Sequence, residues 1–418
     1  MPKDNKNFFK VKKEWSEIKD SLLGCYLPQY FQKVLWKREP ILYVDCFAGK
    51  GKFEDGKDGS PRIALQIKDK SLEQTKVANP QKISTCFIDL NYAADLTVNI
   101  SDLQSNGVPH IISGKFEEEI EKLLSDKQGY NVFLYIDPYG YQALDSLLFD
   151  KFPQMGLSSI ELLINMNSFG LFRDACRVMK VTRQKTDEAF SNLDDIVEYD
   201  PAQVDSSAKS EDLLTNVCGG DYWKEIVNNY NAGKITGYQA EDQFSVNYRK
   251  RLRKNYNFVL DMPIRIKEGG QPKYRMVHAT NHEDGCFLMA QNMQTRRKEL
   301  FTNVQQHGVE QMTFWDLNTS MTKNIDNQYI TIDEIKIKLC EHLKKCDDKI
   351  HLRKLLTTFV NDYGLLCEFK IIYNLLDALQ DEKKIIIDRN PANKANGQPT
   401  TFWEENHDHQ IVIRRMKL

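Results

Sequence analysis

Short apolar runs alternate with amphipathic stretches through the first 170 or so residues. The runs are ILYVDCF (41–47), ISTCFID (83–89), VPHII (108–112), NVFLYID (131–137) and SIELLINMN (159–167). Each is bounded by polar or turn-forming residues, the pattern of strands buried on both faces. Between them, 61–70, 92–100, 115–126 and 142–152 carry apolar residues at helical spacing. Ser60 and Pro61 supply a helix start, an N-cap hydroxyl followed by a ring that needs no amide partner. Ahead of the first run, Trp15, Ile18, Leu22, Leu23 and Tyr26 mark a helix over 8–36. Five strands alternating with helices predict a parallel, doubly wound, Rossmann-like α/β sheet.

The rhythm changes after 168. Residues 169–256 read as a mostly helical insertion with a polar, mobile loop near 199–212. NFVLDMPIRI (257–266) and PKYRMVHAT (272–280), separated by a loop with two glycines, read as a hairpin that extends the sheet. From about 328 onward, two amphipathic helical segments precede KKIIIDRN and HQIVIRRM, short strands around a polar loop. Helices followed by a two-stranded wing predict a winged-helix-like α+β domain. The pattern divides the chain into 1–305 and 325–418.

Composition narrows the picture. A chain of 418 residues with 41% hydrophobic and 28% charged residues is an ordinary globular protein, long enough for two domains. No run approaches the ~18 apolar residues of a membrane span. The N-terminus is basic but lacks an apolar core, so no signal peptide is read. Nine cysteines, with no C-x-x-C pair, suit a reduced, cytoplasmic chain rather than a disulfide scaffold. The net charge of −2 hides an uneven distribution, because Phe244–Leu300 carries 12 Lys/Arg against 5 Asp/Glu. Asp187–Asp205 carries seven acids and no base.

Three acids end predicted parallel strands, the place where open α/β sheets bind ligands. Asp45 opens Asp45-Cys46-Phe47-Ala48-Gly49-Lys50-Gly51, where glycines let the backbone turn and approach a ligand. A dinucleotide fingerprint needs a third glycine where Glu54 stands, so NAD and FAD are disfavoured. A nucleoside cofactor without a pyrophosphate, such as S-adenosylmethionine, needs fewer glycines. The alternative is an ordinary strand–helix turn. Asp89, followed by Leu90, is placed to accept ribose hydroxyls, or else to cap a helix. Asp137-Pro138-Tyr139-Gly140 is the sharpest feature. Enzymes that methylate exocyclic amines of nucleobases place an acid or amide, then Pro, then an aromatic here: the first accepts from the amine and the aromatic stacks on the base. A type I turn is the plain alternative. Asn165 and Asn167 end the fifth strand on the side of Asp137 and are candidate substrate contacts.

In their order and spacing these stretches resemble the three-Cys-motif partner (TcmP) family. The matching segments are W-S-x-I-K with Y-L-P-x-Y (Trp15 to Tyr30), Y-V-D-C-F-A-G-x-G (43–51), E-D-G-x-x-G-S-P-x-x-A-L (54–65), F-I-D (87–89) and D-P-Y-G-Y (137–141). The resemblance covers about 1–300 and implies a class I methyltransferase-like fold binding S-adenosylmethionine. It also implies a partner with a three-cysteine motif, phage-protein-like and radical-SAM-like. D-P-Y-G departs from the D-P-P-Y of adenine-N6 enzymes and is closer to the D-P-F-G of tRNA guanine-N2 enzymes.

Arg249, Lys250, Arg251, Arg253 and Lys254, flanked by Tyr248 and Tyr256, form a candidate phosphate-gripping patch for RNA or DNA, which Arg296, Arg297 and Lys298 could extend. A solvated helix face or a contact to an acidic partner is the alternative. His278-x-x-x-His282 and Cys340-x5-Cys346 do not have ligand geometry for a metal. The Trp15–Lys19 element reads as core or as a lid on the cofactor. Three functions stay open: a nucleobase methyltransferase, a silent cofactor-binding or partner subunit, and another nucleic-acid-processing phage-defence component.

Overall fold

The computed structural model describes residues 9–103, 106–183, 187–190, 207–265, 271–307, 321–323, 329–406 and 408–416. It divides into two compact units, 1–281 and 282–418. The first is built on β1 (Ile41–Asp45), β2 (Ile83–Asp89), β3 (His110–Ser113), β4 (Asn131–Ile136), β5 (Ser159–Met166), β6 (Phe258–Arg265) and β7 (Pro272–Thr280). Their order is β3-β2-β1-β4-β5-β7-β6. β7 runs antiparallel to β5 and β6, and the strands from β3 to β5 pair in parallel. The expected doubly wound sheet and its closing hairpin are therefore both present. The two-glycine loop of that hairpin, 266–270, lies outside the described residues.

The helices of this unit are α1 (Glu14–Leu35), α2 (Ser60–Gln74), α3 (Ala93–Asn99), α4 (Phe116–Leu124), α5 (Ser146–Lys151), α6 (Ser168–Val178), α7 (Ser207–Cys218), α8 (Tyr222–Asn231) and α9 (Gly237–Leu252). Alternation along the strands sorts the two faces. Leu42, Val44, Ile88, Leu134, Ile136, Leu162 and Ile164 share one core with α4 to α9. On the other face Tyr26 and Tyr30 of α1 pack on Phe133 of β4, which stacks on Tyr43 of β1. Residues 207–212, expected in a polar loop, begin α7; 199–206 lie outside the described residues. Ser210 is buried there and Leu214 and Val217 are in the core, so tertiary packing outweighs the polar composition.

The second unit comprises α10 (Glu283–His307), β8 (Met321–Lys323), β9 (Tyr329–Thr331), α11 (Ile332–Lys345), β10 (Lys349–His351), α12 (Leu352–Tyr363), α13 (Phe369–Asp381), β11 (Ile385–Asn390) and β12 (Gln410–Arg415). β12 lies between β10 and β11, antiparallel to both. Ile335, Leu339, Leu356, Phe359, Leu376, Leu379, Ile411 and Ile413 are buried in it. α10, which the sequence pattern assigns to the first domain, belongs with this unit: Phe287 stacks on Phe369 at 5.2 Å and Asp284 pairs with Arg353.

Candidate functional site

Asp45 ends β1, Asp89 ends β2 and Asp137 follows β4 directly. Asp45 lies opposite Phe87 and Tyr135, so Asp89 and Asp137 each stand two residues further along the neighbouring strands. The chain leaving β1 stays against both neighbours: Cys46 N–H donates to Tyr135 O at 2.9 Å and Ala48 N–H to Ile88 O at 3.0 Å. Because Val44, Ile88, Ile136 and Ile164 point into the α4–α9 core, alternation turns Asp45, Asp89, Asp137 and Asn165 toward the α1 face. The three acids and Asn165 thus share one rim and one face.

Asp45 is fully buried. The Phe47 N–H donates to its Oδ1 at 3.3 Å, and Oδ2 is buried with no hydrogen-bond partner among the described residues. Burial pushes its pKa up to about 7; the nearby Asp137 and Asp20 charges add to the rise, while Ser60 and the Phe47 amide oppose it. Burial likewise raises Asp20 to about 6 although Lys12 pairs with it.

Asp137 is held by its neighbours. Lys19 of α1 donates from Nζ to Oδ2 at 2.7 Å and Oδ1 at 2.9 Å, and Asn165 Nδ2 donates to Oδ1 at 2.6 Å. The Oδ1 of Asn165 is itself buried without a partner among the described residues. Asp89 accepts three backbone N–H groups: Gly49 on Oδ2 at 2.8 Å, Asn91 on Oδ1 at 2.8 Å and Tyr92 on Oδ1 at 2.7 Å. It pins the glycine turn and the start of α3, so it cannot offer both oxygens to a ribose; one acceptor position remains on Oδ2.

The other expected site residues divide. Gly49 has φ +58°, and a Cβ there would lie 3.2 Å from the Phe9 ring. Gly51 does not face a ligand, because at φ +73° its missing side chain makes room for Leu96, whose methyl lies 2.6 Å from where a Cβ would stand. Phe47 packs on Phe116, Leu90 is exposed, Pro138 is buried and Tyr139 is 43% exposed. Asn167 caps α6, accepting the Gly170 N–H at 2.8 Å, so its side chain is spent on the helix start.

The basic patch is corrected more strongly. Arg249 pairs with Asp261 at 3.1 Å, Arg251 reaches Asp150 at 2.8 Å and Arg253 donates to Val259 O at 3.1 Å. Tyr248 and Tyr256 are buried and cannot stack on bases. α9 turns its guanidinium groups inward to acids on other elements, which leaves Lys250 and Lys254 exposed. Arg296 and Arg297 belong to α10 in the second unit. His278 is fully buried against Glu161 at 3.1 Å. Among the described residues no group of three or more His, Cys, Asp or Glu could hold a metal ion.

Sequence spacing did not single out the α1 contribution. Lys19 and Asp20 are remote in the chain from the strand ends; the W-S-x-I-K stretch includes Lys19 and ends before Asp20. Beside them the ammonium of Lys273 lies 3.3 Å over the Trp15 ring, and Lys19 lies 5.0 Å from the Tyr274 ring centre. A separate cavity of about 570 Å³ opens at the amino ends of β1–β3, lined by residues that include Leu42, Ile83, Lys68 and His110, and touches none of Asp45, Asp89 and Asp137.

No protein-family model matches the chain, and no curated protein matches it in sequence. Among solved structures it is similar to yhhF of Escherichia coli, described as a methyltransferase: 14% identity, TM-score 0.22, covering 34% of this chain and 68% of that one. It is also similar to the plantazolicin methyltransferase BamL in complex with a triazolic desmethylPZN analog and SAH: 11% identity, TM-score 0.30, covering 64% and 87%. At these values the argument for a Rossmann-like, methyltransferase-type fold rests on the sheet order and its antiparallel β7. No helix among the described residues is long and apolar enough to cross a membrane.

Proposed function

We propose that this chain is an S-adenosylmethionine-dependent methyltransferase acting on an exocyclic amino group of a nucleobase in RNA or DNA, and that it works with a three-cysteine-motif protein of the kind the TcmP resemblance implies. The observation that carries the reading is the row Asp89, Asp45, Asp137 and Asn165 along one rim and one face of the sheet. The residues fit an adenosyl ligand. Asp45 Oδ2 is a buried acceptor without a partner among the described residues and Asp89 Oδ2 has one acceptor position left, while the space beside the Gly49 Cα is taken by the Phe9 ring. When bound, S-adenosylmethionine supplies a methyl group on a sulfonium, an electrophile that needs alignment more than acid–base help.

The chain's own residues would do the aligning. Asp89 and Leu90 would take the ribose and adenine side; Asp45, Phe47 and Gly49 would face the amino-acid end. A carboxylate has about four acceptor positions. Lys19 takes two on Asp137, Asn165 takes one, and the Tyr135 hydroxyl reaches Oδ2 at a long 3.5 Å, so an amine N–H would have to take that last, weakly held position. The exposed Tyr139 would stack on the base and the backbone at Pro138 would fix the second N–H. In the second unit, the order helix–strand–helix–helix–strand–strand from α11 to β12 supports a winged-helix reading.

A second reading is favoured by the α1 contacts. With Lys19 on Asp137, the chain could be a silent cofactor-binding or partner subunit of a nucleic-acid-processing or phage-defence system until its partner moves α1. Calorimetric titration with S-adenosylmethionine, then transfer of a tritiated methyl to total RNA and DNA with and without the partner, separates the two. Asp137→Asn should lower transfer at least tenfold and leave cofactor affinity within twofold. Absence of cofactor binding by the chain, alone and with its partner, would rule out the methyltransferase reading and the cofactor-binding form of the second, leaving only a partner subunit.

A further inference from the structure

The approach to Gly49 is taken by the chain's own N-terminal segment. The Phe9 ring lies where a side chain on Gly49 would be, 3.2 and 3.3 Å from that position, and is 8% exposed. It meets Tyr92 edge-on at 5.0 Å, and the Lys50 ammonium sits 5.2 Å from its centre. Tyr92 belongs to the Asp89 turn through its N–H bond to Oδ1. Gly49 and Asp89 are joined directly by the 2.8 Å bond from the Gly49 N–H, and Phe9 lies against Gly49 and Tyr92 beside that pair, where a nucleoside resting on both would meet the ring.

The segment is stitched down around this ring. Phe9 O accepts the Glu54 N–H at 2.8 Å, and the Lys12 N–H donates to Asp55 Oδ2 at 3.0 Å. Lys12 Nζ donates to Asp58 O at 2.6 Å and pairs with Asp20. All these partners lie on the 53–58 insert or on α1, and none is a strand of the sheet. The attachment includes these hydrogen bonds, the Lys12–Asp20 pair and the ring contacts of Phe9 with Phe53 and Tyr92.

We propose that residues 9–12 form a strap that closes the nucleoside site, and that cofactor binds only when Phe9 leaves Gly49. This rests on the adenosyl reading given above. A ligand that needs a minor, strap-open state binds with an affinity reduced by the fraction of molecules in that state. Removing the ring raises that fraction.

The test is calorimetric titration of the full-length chain with S-adenosylhomocysteine. Phe9→Ala should tighten binding at least fivefold. Asp55→Ala, which frees the Lys12 amide without touching Gly49, should tighten it in the same direction by a smaller factor and guards against a folding defect in the first variant. Ligand should also speed tryptic cleavage at the exposed Lys10 and Lys13 of the wild-type chain at least threefold. Weaker binding by Phe9→Ala would make Phe9 a wall of the pocket and overturn the strap, as would unchanged affinity with unchanged cleavage. Binding by neither wild type nor variants would defeat the adenosyl reading and the strap together, whereas binding that appears only in the variants supports both.

Discussion

Asp45 shows what burial does to one carboxyl group. Its pKa rises from 3.8 to about 7 chiefly because burial penalises the charge, and the two other acids beside it add to the rise. The folded state therefore holds the proton more tightly than the unfolded chain. The stability this gives is whole below about pH 4 and drains as pH rises through about 7. A rise of this size is worth on the order of 4 kcal/mol at full ionisation. Asp45→Asn removes the titration and keeps the shape. Melting curves of wild type and Asp45→Asn should coincide near pH 4 and separate as pH rises, with the variant melting higher at pH 8. A constant gap between them would mean that Asp45 is not the group that titrates. Asp137, by contrast, accepts hydrogen bonds from Lys19 and Asn165.

At the scale of elements, the strands were legible because burial on both faces leaves unbroken apolar runs, and all seven strands of the main sheet fall within or beside the runs read from sequence. The rim was legible for a related reason: an acid closing an apolar run is conspicuous. What α1 and α9 contribute was not, since pattern shows which helix face is polar and not which acid a cation will meet. Arg251 finds Asp150 and Lys19 finds Asp137 across more than 100 positions of chain. The two glycines after Asp45 look alike in sequence and differ in the fold: Gly49 faces the rim, and Gly51 is wedged on Leu96 of α3. Gly51→Ala would force a side chain into a left-handed backbone and against a buried leucine, at a cost of about 3 kcal/mol. Urea unfolding should report that loss. Loss of cofactor affinity with no loss of stability would mean that Gly51 faces ligand after all.

For the molecule as a whole, the question is how a chain of net charge −2 would meet a nucleic acid. Binding to phosphates releases counterions, and the slope of log K against log salt is about −0.9 per phosphate neutralised on duplex DNA. The sequence offers a patch of five cations on and just after α9, but Arg249 and Arg251 are committed to Asp261 and Asp150, and Arg253 donates to the Val259 carbonyl. Lys250 and Lys254 are what the patch leaves at the surface. The second unit does not compensate by composition. α13, the helix that a winged-helix reader of DNA would insert into the groove, carries Lys370 with Asp377 and Asp381, and the 391–409 segment carries Lys394 with Glu404, Glu405 and Asp408. Electrostatics therefore predict a weak, shallow contact of the isolated chain with duplex. Filter binding to duplex DNA across a salt series should give a slope no steeper than about −2, abolished in the Lys250→Glu, Lys254→Glu double variant. A slope of about −5 or steeper would require the α9 guanidinium groups to leave their acids. It would restore the basic patch as the docking surface and shift recognition from the pocket and the partner to this face of the chain.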